Sequence, residues 1–514
     1  MSAEVMKRLA ADLQSRRNGQ LRPSGQQAYG YNVLDDYFSG NQQLGFLHPE
    51  VRAQVEDRLE SLSINWARVI IGSIEERLDV RGFRIGSETE VDQEVWDMYL
   101  ANGLDTWSQL GHTDAMKHGR AFGLAWADED APDEPRMTIE SASQMTVLYK
   151  PGTTKILYGA KVYKDPDADS ATSSAQIGWL YGPDSVQKYR GSLLGGAGSN
   201  AWQLLDELPN PLGAVPIVPF INRPKLTDLA GESELTDVIP LLNAINKLAT
   251  DMMVSSEYHA MPRRYATGME IPREARANEK IRNEVRKQWD EALKGRTLIG
   301  GKEVKFGHFP EATLDNFINA IKLLVSQIAA LAGLPPHYLG LSTDNPASAD
   351  AIRSAEASLI RKALRKQGSF GSAWPALMRL GLAIKQGVPL EKLDPKYLKL
   401  ETQWADPNTS TPGAKADAAL KLAGGTVPII TIHQAREDLG YTPAQIKRME
   451  EEELAGQELA ATTDVRAKLS LADEMIANGD PKPAAYAAVG LIAAASQLTT
   501  GTNGAVGQSG QQNV

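Results

Sequence analysis

The chain has 514 residues, with 54 Lys/Arg against 64 Asp/Glu for a net charge of −10, and no cysteine. That length calls for two to four structural units rather than one core. The missing cysteines exclude disulfides, cysteine-based zinc sites and thiol nucleophiles, and the acidic balance argues against nucleic-acid binding over the whole surface while leaving room for a local basic patch.

The opening MSAEVMKRLAADLQSRR spells a polar amphipathic helix without the apolar run of a signal peptide. No stretch of about 18 apolar residues reads as a membrane span. Val51, Val55, Leu59, Leu62, Trp66, Val69 and Leu78 recur at helical spacing and predict a helix over 49–79. A second helical zone covers 91–119. From 121 to 221 short runs such as MTVLY, KILYGAKVYK, QIGWLYG and VPIVPF, bounded by Gly, Pro and Asp, predict a meandering β region. Its loops at 165–175 and 191–200 are rich in Asp, Ser and Gly.

Two apolar seams follow. Leu235, Val238, Leu242, Ile245, Ala249 and Met252 are spaced 3,4,3,4,3, and Leu314, Phe317, Ile321, Leu324, Ile328 and Leu331 repeat that spacing. Both predict helices packed lengthwise on other helices. Pro240 makes the first kink or start late. Between them, 263–309 holds twelve Lys/Arg against seven Asp/Glu, a net of about +5 in an acidic chain. Together they read as a stalk with a small basic α/β head. Then comes GLPPHYLGLSTDNPASADAIRSAEASLIRKALRKQ: turn chemistry first, then a helix predicted over 348–386, with Gly368 and Gly371 as soft points. Arg353 leads that helix, and Arg361, Lys362, Arg365 and Lys366 follow at i, i+1, i+4, i+5, which reads as one basic face. YLKLETQWADP reads as a strand, 409–460 as helical, and TTGTNGAVGQSGQQNV as a low-complexity, disordered tail.

No motif carries chemistry. GRTLIGGK misses a phosphate loop because Arg296 stands where Gly is needed and Glu303 where Ser/Thr is needed. The stretch 196–201 matches a dinucleotide fingerprint by letter, but opens no long helix and closes no βαβ unit. His112 and His118 are six apart, wrong for an i, i+4 metal pair, and read as satisfied or surface histidines. An enzyme is not expected.

The order of these elements, with NVLDDYFSGNQQLGF, INWARVIIGSIEERLDVRGFR, GESELTDVIPLLNAINKLATDMM, PRRYATG, the GLPPHYLG stretch and LETQWADP, resembles the portal proteins of tailed double-stranded DNA bacteriophages, in the siphovirus-type branch. The likeness covers roughly residues 25–460. It implies an α+β fold, mainly helical, with a β-rich wing, a paired-helix stem, a small α/β clip and a helical crown. Carried onto this chain, an N-terminal arm is 1–24, the wing 25–230, stem helix 1 231–262, the clip 263–309 and stem helix 2 310–334. The tunnel loop is then 335–348, the tunnel helix 349–388, a wing return strand 389–406, the crown 407–496 and a disordered tail 497–514.

The same resemblance implies a structural, non-enzymatic homo-oligomer, a dodecameric ring at one capsid vertex of the virion, assembled in the host cytoplasm. It would pass double-stranded DNA without regard to sequence during packaging and ejection. The implied partners are the terminase packaging motor, head-completion and adaptor proteins, and major capsid and scaffolding proteins; no cofactor, metal or membrane is implied. The slim residues Ser342, Thr343, Asp344, Asn345, Pro346, Ala347 and Ser348 become the tunnel loop lining the channel. Arg353, Arg361, Lys362, Arg365 and Lys366 become channel or inter-subunit residues, with the two options open. Arg273, Arg276, Arg282, Arg286 and Lys287 become a clip surface for an acidic partner. Two rival readings are a nucleic-acid-processing enzyme with an unrecognised site and a non-channel capsid scaffold.

Overall fold

A computed structural model describes residues 2–19, 29–42, 64–86, 88, 91–128, 130–131, 133–167, 175–192, 202–226, 228–260, 264–267, 279–283, 287, 305–308, 313–341, 349–408, 412–424, 428–478 and 481–482. The chain divides into two units, Met1–Thr409 and Ser410–Val514.

The first unit begins with α1 (Ser2–Asn18), α2 (Tyr31–Ser39) and α3 (Trp66–Glu75). Of the helix expected over 49–79, the part 49–63 lies outside the described residues. The rest ends at Glu75, because the chain then turns into β1 (Val80–Ile85). This corrects the helical reading of 76–79, which form the turn into β1. β1 pairs antiparallel with the strand Leu400–Trp404, and Val80, Phe83 and Ile85 are buried. The predicted return strand is thus present, with a partner more than 300 residues away that the sequence had not indicated.

α4 (Gln93–Ala101) and α5 (Leu104–His118) fill the second helical zone. The Asp92 side chain accepts the Val95 amide at 3.0 Å and fixes the start of α4. Eight strands occupy the β region: β2 (Arg120–Ala127), β3 (Pro135–Ser141), β4 (Met145–Tyr149), β5 (Ile156–Lys164), β6 (Ala175–Tyr181), β7 (Ser185–Ser192), β8 (Gln203–Pro209) and β9 (Ile217–Ile221). They form two antiparallel sheets, ordered β3-β2-β9 and β4-β5-β6-β7-β8. The meander expectation holds for the larger sheet. In the smaller one, β9 returns to pair with β2 from nearly a hundred residues on.

α1 packs on the larger sheet. Met6, Leu9, Ala10 and Leu13 are buried against Ala160, Val162, Leu180, Tyr189 and Trp202 in a small core of their own. The segment read as an arm therefore docks on the larger sheet through its apolar stripe.

α6 (Ile239–Ala260) and α7 (Asp315–Ala332) pack against each other. Pro240 sits in the first turn of α6, where a missing N–H costs nothing, so the late start is what the structure shows. Leu235, Val238, Leu242, Ile245 and Ala249 are buried as the first seam predicts. In the second seam Ile321, Leu324 and Ile328 face the core, joined by Val325, Ala329 and Ala332, whereas Leu331 is exposed. Between the two helices β10 (Arg264–Thr267) pairs antiparallel with β11 (Lys305–His308), and 279–283 are helical.

Gly333 ends α7 in the left-handed region, with the Leu334 amide donating to the Ala329 carbonyl at 2.9 Å. The one helix predicted over 348–386 is two, α8 (Ala349–Gly371) and α9 (Ala373–Lys385), broken at the Gly371 soft point. Trp374, fully buried on α9, contacts Tyr99, His112 and Phe220, with ring centroids 5.6, 5.8 and 4.7 Å away. Its indole N–H donates to His112 Nε2 at 3.0 Å, and burial pushes the imidazole down to about 3. His112 is thus a neutral core residue whose Nε2 is paired with the Trp374 indole. The strand Leu400–Trp404, here β12, closes the unit.

The second unit contains α10 (Pro412–Ala423), α11 (Ile432–Leu439) and α12 (Pro443–Ala477). α12 opens on a capping box between Thr442 and Gln445, with Pro443 in its first turn.

Candidate functional site

The candidate site is built around α8. Glu356, Leu359, Ala363, Lys366, Gln367 and Phe370 recur at helical spacing on its inner side and are buried. Ala357, Ser358, Arg361, Leu364, Arg365 and Gly368 are exposed on its outer side. The four clustered basic residues are therefore two columns, not one face. Lys362 and Lys366 turn inward, and Arg361 and Arg365 turn outward, because neighbours in a helix point about 100° apart.

Both inward lysines meet Glu234. Lys362 Nζ lies 2.9 Å from one carboxylate oxygen and Lys366 Nζ 2.5 Å from the other. Lys366 also donates to the Asn222 side-chain oxygen, and Lys362 to the Ala332 carbonyl at the end of α7 at 3.0 Å. Glu234 is only 4% exposed. Burial opposes its charge, but Lys366 and Lys362 outweigh burial and hold the carboxyl at about 2. Burial is also the largest influence on Lys366 and lowers its pKa, while Glu234 acts against that shift.

The backbone places Glu234 by a close approach of two glycines. A Cβ on Gly231 would lie 2.0 Å from the Gly119 carbonyl oxygen, and both residues are in the left-handed region. Around that contact the Asn222 amide donates to Gly119, the Glu232 amide to Asn222 and the Glu234 amide to Met116, at 2.8, 3.0 and 3.0 Å. Asn222 Nδ2 in turn donates to the Glu232 carbonyl at 2.7 Å. One junction thus ties together the ends of α5 and β9, the stretch leading into α6, the end of α7 and the middle of α8.

The start of α8 has its own anchor. The Tyr338 hydroxyl donates to Glu356 at 2.8 Å and accepts from Arg77 at 3.1 Å. Tyr338 sits in a 3-10 turn, Pro336–Leu339, between Gly333 and a left-handed Gly340, so the turn chemistry of GLPPHYLG is realised. Gln367 donates to the Arg77 and Ala405 carbonyls, each at 3.1 Å.

The loop residues Ser342, Thr343, Asp344, Asn345, Pro346, Ala347 and Ser348 lie outside the described residues, as do Arg273, Arg276 and Arg286, the GRTLIGGK stretch and 196–200. Arg353 lies within α8, its side chain outside the description. Arg282 and Lys287 are exposed. Lys366 is 5% exposed and paired within the chain, whereas Arg361 and Arg365 are exposed. Sequence reasoning missed Glu234 and Asn222. Two lysines four apart beside apolar Leu359 and Ala363 were the signal for a buried carboxylate.

Two antiparallel sheets, two packed helices bracketing a two-stranded ribbon, and a long helix anchored beneath a turn together make a mixed helix-and-sheet protein without a catalytic centre among the described residues. The chain matches the family described as "Phage portal protein, SPP1 Gp6-like" over residues 26–458, and it belongs to that family. Two relatives named "Portal protein", from Mycobacterium phage D29 and Mycobacterium phage L5, are each 34% identical to it, over 406 and 407 residues respectively. Each alignment covers 76% of this chain and 79% of the relative. A chain in the solved structure of the virion of a native gene transfer agent (GTA) particle is 14% identical, with a TM-score of 0.45, covering 85% of this chain and 98% of that one. The protein is a phage portal protein with the α+β portal fold, a structural component of the virion and of its head-to-tail connector. No described helix is long and apolar enough to cross a membrane.

Proposed function

We infer that copies of this chain close into a dodecameric ring around a channel that passes double-stranded DNA without reading its sequence. The observation that carries this reading is the outer side of the stem and tunnel helices. Leu323 and Leu331 on α7 and Leu364 on α8 are 60%, 56% and 50% exposed, beside the outward Arg361 and Arg365. Such mixed apolar and basic faces suit neighbouring copies and a phosphate backbone.

Under this reading the loop 342–348 lines the narrowest part of the channel. Its residues are small, and Asn345-Pro346 favours an extended path. The clip, with Arg273, Arg276, Arg282, Arg286 and Lys287, docks the acidic surface of the terminase motor and later the head-completion proteins. The wing meets major capsid and scaffolding proteins, and assembly takes place in the host cytoplasm. The ring itself performs no catalysis; the motor hydrolyses ATP.

Negative-stain microscopy of the purified chain tests the ring, which is expected to show an axial hole; particles without one overturn the reading. In rings so verified, Ser342→Trp with Asn345→Trp is expected to block DNA packaging. Normal packaging by that variant removes the loop from the channel.

A further inference from the structure

The wing carries an unusual surface on α5. Trp107 is 52% exposed, and Leu110, one turn on, is 55% exposed. Trp107 forms one wall of a cleft of about 500 Å³ whose floor is Met137 and Ile139 of β3. Large exposed aromatics next to a formed cleft are the residues that carry binding energy at protein interfaces.

The cleft is held open by contacts within the chain. Asn102 accepts the Met137 amide at 2.7 Å and donates to the Met98 carbonyl at 2.9 Å. Thr138 donates to Glu140 at 2.9 Å, and Lys161 lies 2.6 Å from the same carboxylate. Asp114 accepts the Ala142 amide at 3.1 Å. Side chains therefore cap this edge of β3 at both ends, which disfavours addition of a partner strand. What remains is a preformed recess for a side chain.

The rim is acidic on its β2–β3 side. Asp128 lines the cleft, and the turn that follows it carries Asp130, Asp133 and Glu134, all exposed. Against these stands Arg136, 3.7 Å from Asp128. A carboxylate-rich rim repels phosphates, so this face is unsuited to DNA. It complements a basic protein segment, whose guanidinium or ammonium groups would also stack on the indole.

We propose that this wing cleft is a docking site for a partner protein, which inserts one large apolar side chain beside Trp107 from a segment rich in lysine and arginine. The partner is distinct from DNA and from a second copy of this chain.

The probe is a fluorescein-labelled peptide, Lys-Arg-Leu-Lys-Arg, titrated by anisotropy into the full-length protein. Saturable binding that weakens with salt is expected. Trp107→Ala, replacing an exposed residue, is expected to leave the circular dichroism unchanged and to lose about tenfold in affinity. Replacing the peptide leucine by serine is expected to weaken it comparably, and Asp133→Lys with Glu134→Lys to abolish the salt-sensitive part. Equal binding by Trp107→Ala, or no binding to the wild-type protein, overturns the proposal. If light scattering shows that these variants change the number of associated subunits, the face is an interface between copies and the proposal also falls.

Discussion

The helices α8 and α12 are both rich in charge, and they solve the problem in opposite ways. α8 buries Glu356, Lys366 and Gln367 and answers each within its own unit, through Tyr338, Glu234 and two backbone carbonyls. α12 runs for 35 residues with only Ile446 and Ala472 buried among its described side chains. Some of its charges pair along its own surface, as in Arg448–Glu452 at 3.7 Å and Lys468–Asp464 at 2.5 Å, others with α11, as in His433–Glu450 at 2.8 Å, and Leu454, Leu459 and Leu471 are 60%, 69% and 52% exposed. The difference separates what the chain fixes by itself from what is left for assembly. A buried ion pair holds one geometry because breaking it strands a charge, whereas exposed i, i+4 pairs contribute little and leave the helix open to other contacts.

The sharpest way to break the comparison is Glu234→Gln. The amide keeps the shape and removes the charge, leaving Lys366 buried without a counter-ion. Loss of one partner of such a pair costs about 3–5 kcal/mol. Because burial already lowers the lysine's pKa, deprotonation of Lys366 would limit that cost. The urea midpoint followed by tryptophan fluorescence is expected to fall by a large fraction of the total stability. Glu234→Leu combined with Lys366→Met is expected to recover most of it, since well-packed apolar replacements of buried pairs are often neutral. A midpoint unmoved by Glu234→Gln would mean that the junction does not hold α8.

That junction also marks where sequence reasoning ends. Local periodicity was enough for α4, α5, α6, α7 and β12, because each buries one stripe or one face against the rest of the unit. It was not enough for β1: Leu78, nine residues past Val69, falls half a turn off the helical stripe although the helical reading includes it, and only pairing with Leu400–Trp404 makes VRGFRI a strand. Its last residues are short and Gly-containing, so no local signal outweighed the helix. The basic cluster failed for a related reason. Residues i, i+1, i+4 and i+5 span a wide arc, and whether part of that arc is buried depends on a carboxylate 128 positions earlier than Lys362. Long-range charge pairing has no periodicity to read.

A smaller effect comes from His118, which joins α5 to α2. Its ring nitrogens lie 3.0 Å from Asp114 and 3.0 Å from Asp35. Burial opposes the imidazolium, but Asp114 outweighs it, so the folded pKa is raised above 6.5. Asp35 is held at about 2, with its hydrogen bond to His118 overcoming burial. For a raised histidine the stabilisation is complete below about 6.5 and is lost as pH rises through the folded value. For the lowered aspartate it is complete above about 3.9 and is lost as pH falls towards about 2. Hydrogen exchange of the Tyr31–Ser39 amides is therefore expected to be slowest between these limits. His118→Asn should flatten the alkaline limb and leave the acid limb of the other carboxylates. An unchanged alkaline limb would remove His118 from the contact.

The smallest effect on the isolated chain, and the one that tests the other half of the comparison, is expected from Leu454→Ser with Leu459→Ser. Both side chains are largely solvated, so their loss removes little buried area, and each change should move stability by less than about 0.5 kcal/mol. Single exposed leucines are ordinary on protein surfaces and require no partner. Several on one long helix with two buried anchors are different, because the helix then depends on external contacts for its lifetime. If those contacts come from neighbouring copies, hydrogen exchange across α12 should be slower in assembled rings than in dissociated chains. The double serine variant should then remove that protection in the ring and change nothing in the dissociated chain. Equal acceleration in both states would show that Leu454 and Leu459 support α12 from within a single copy. In that case the contrast between α8 and α12 would be one of degree, not of assembly.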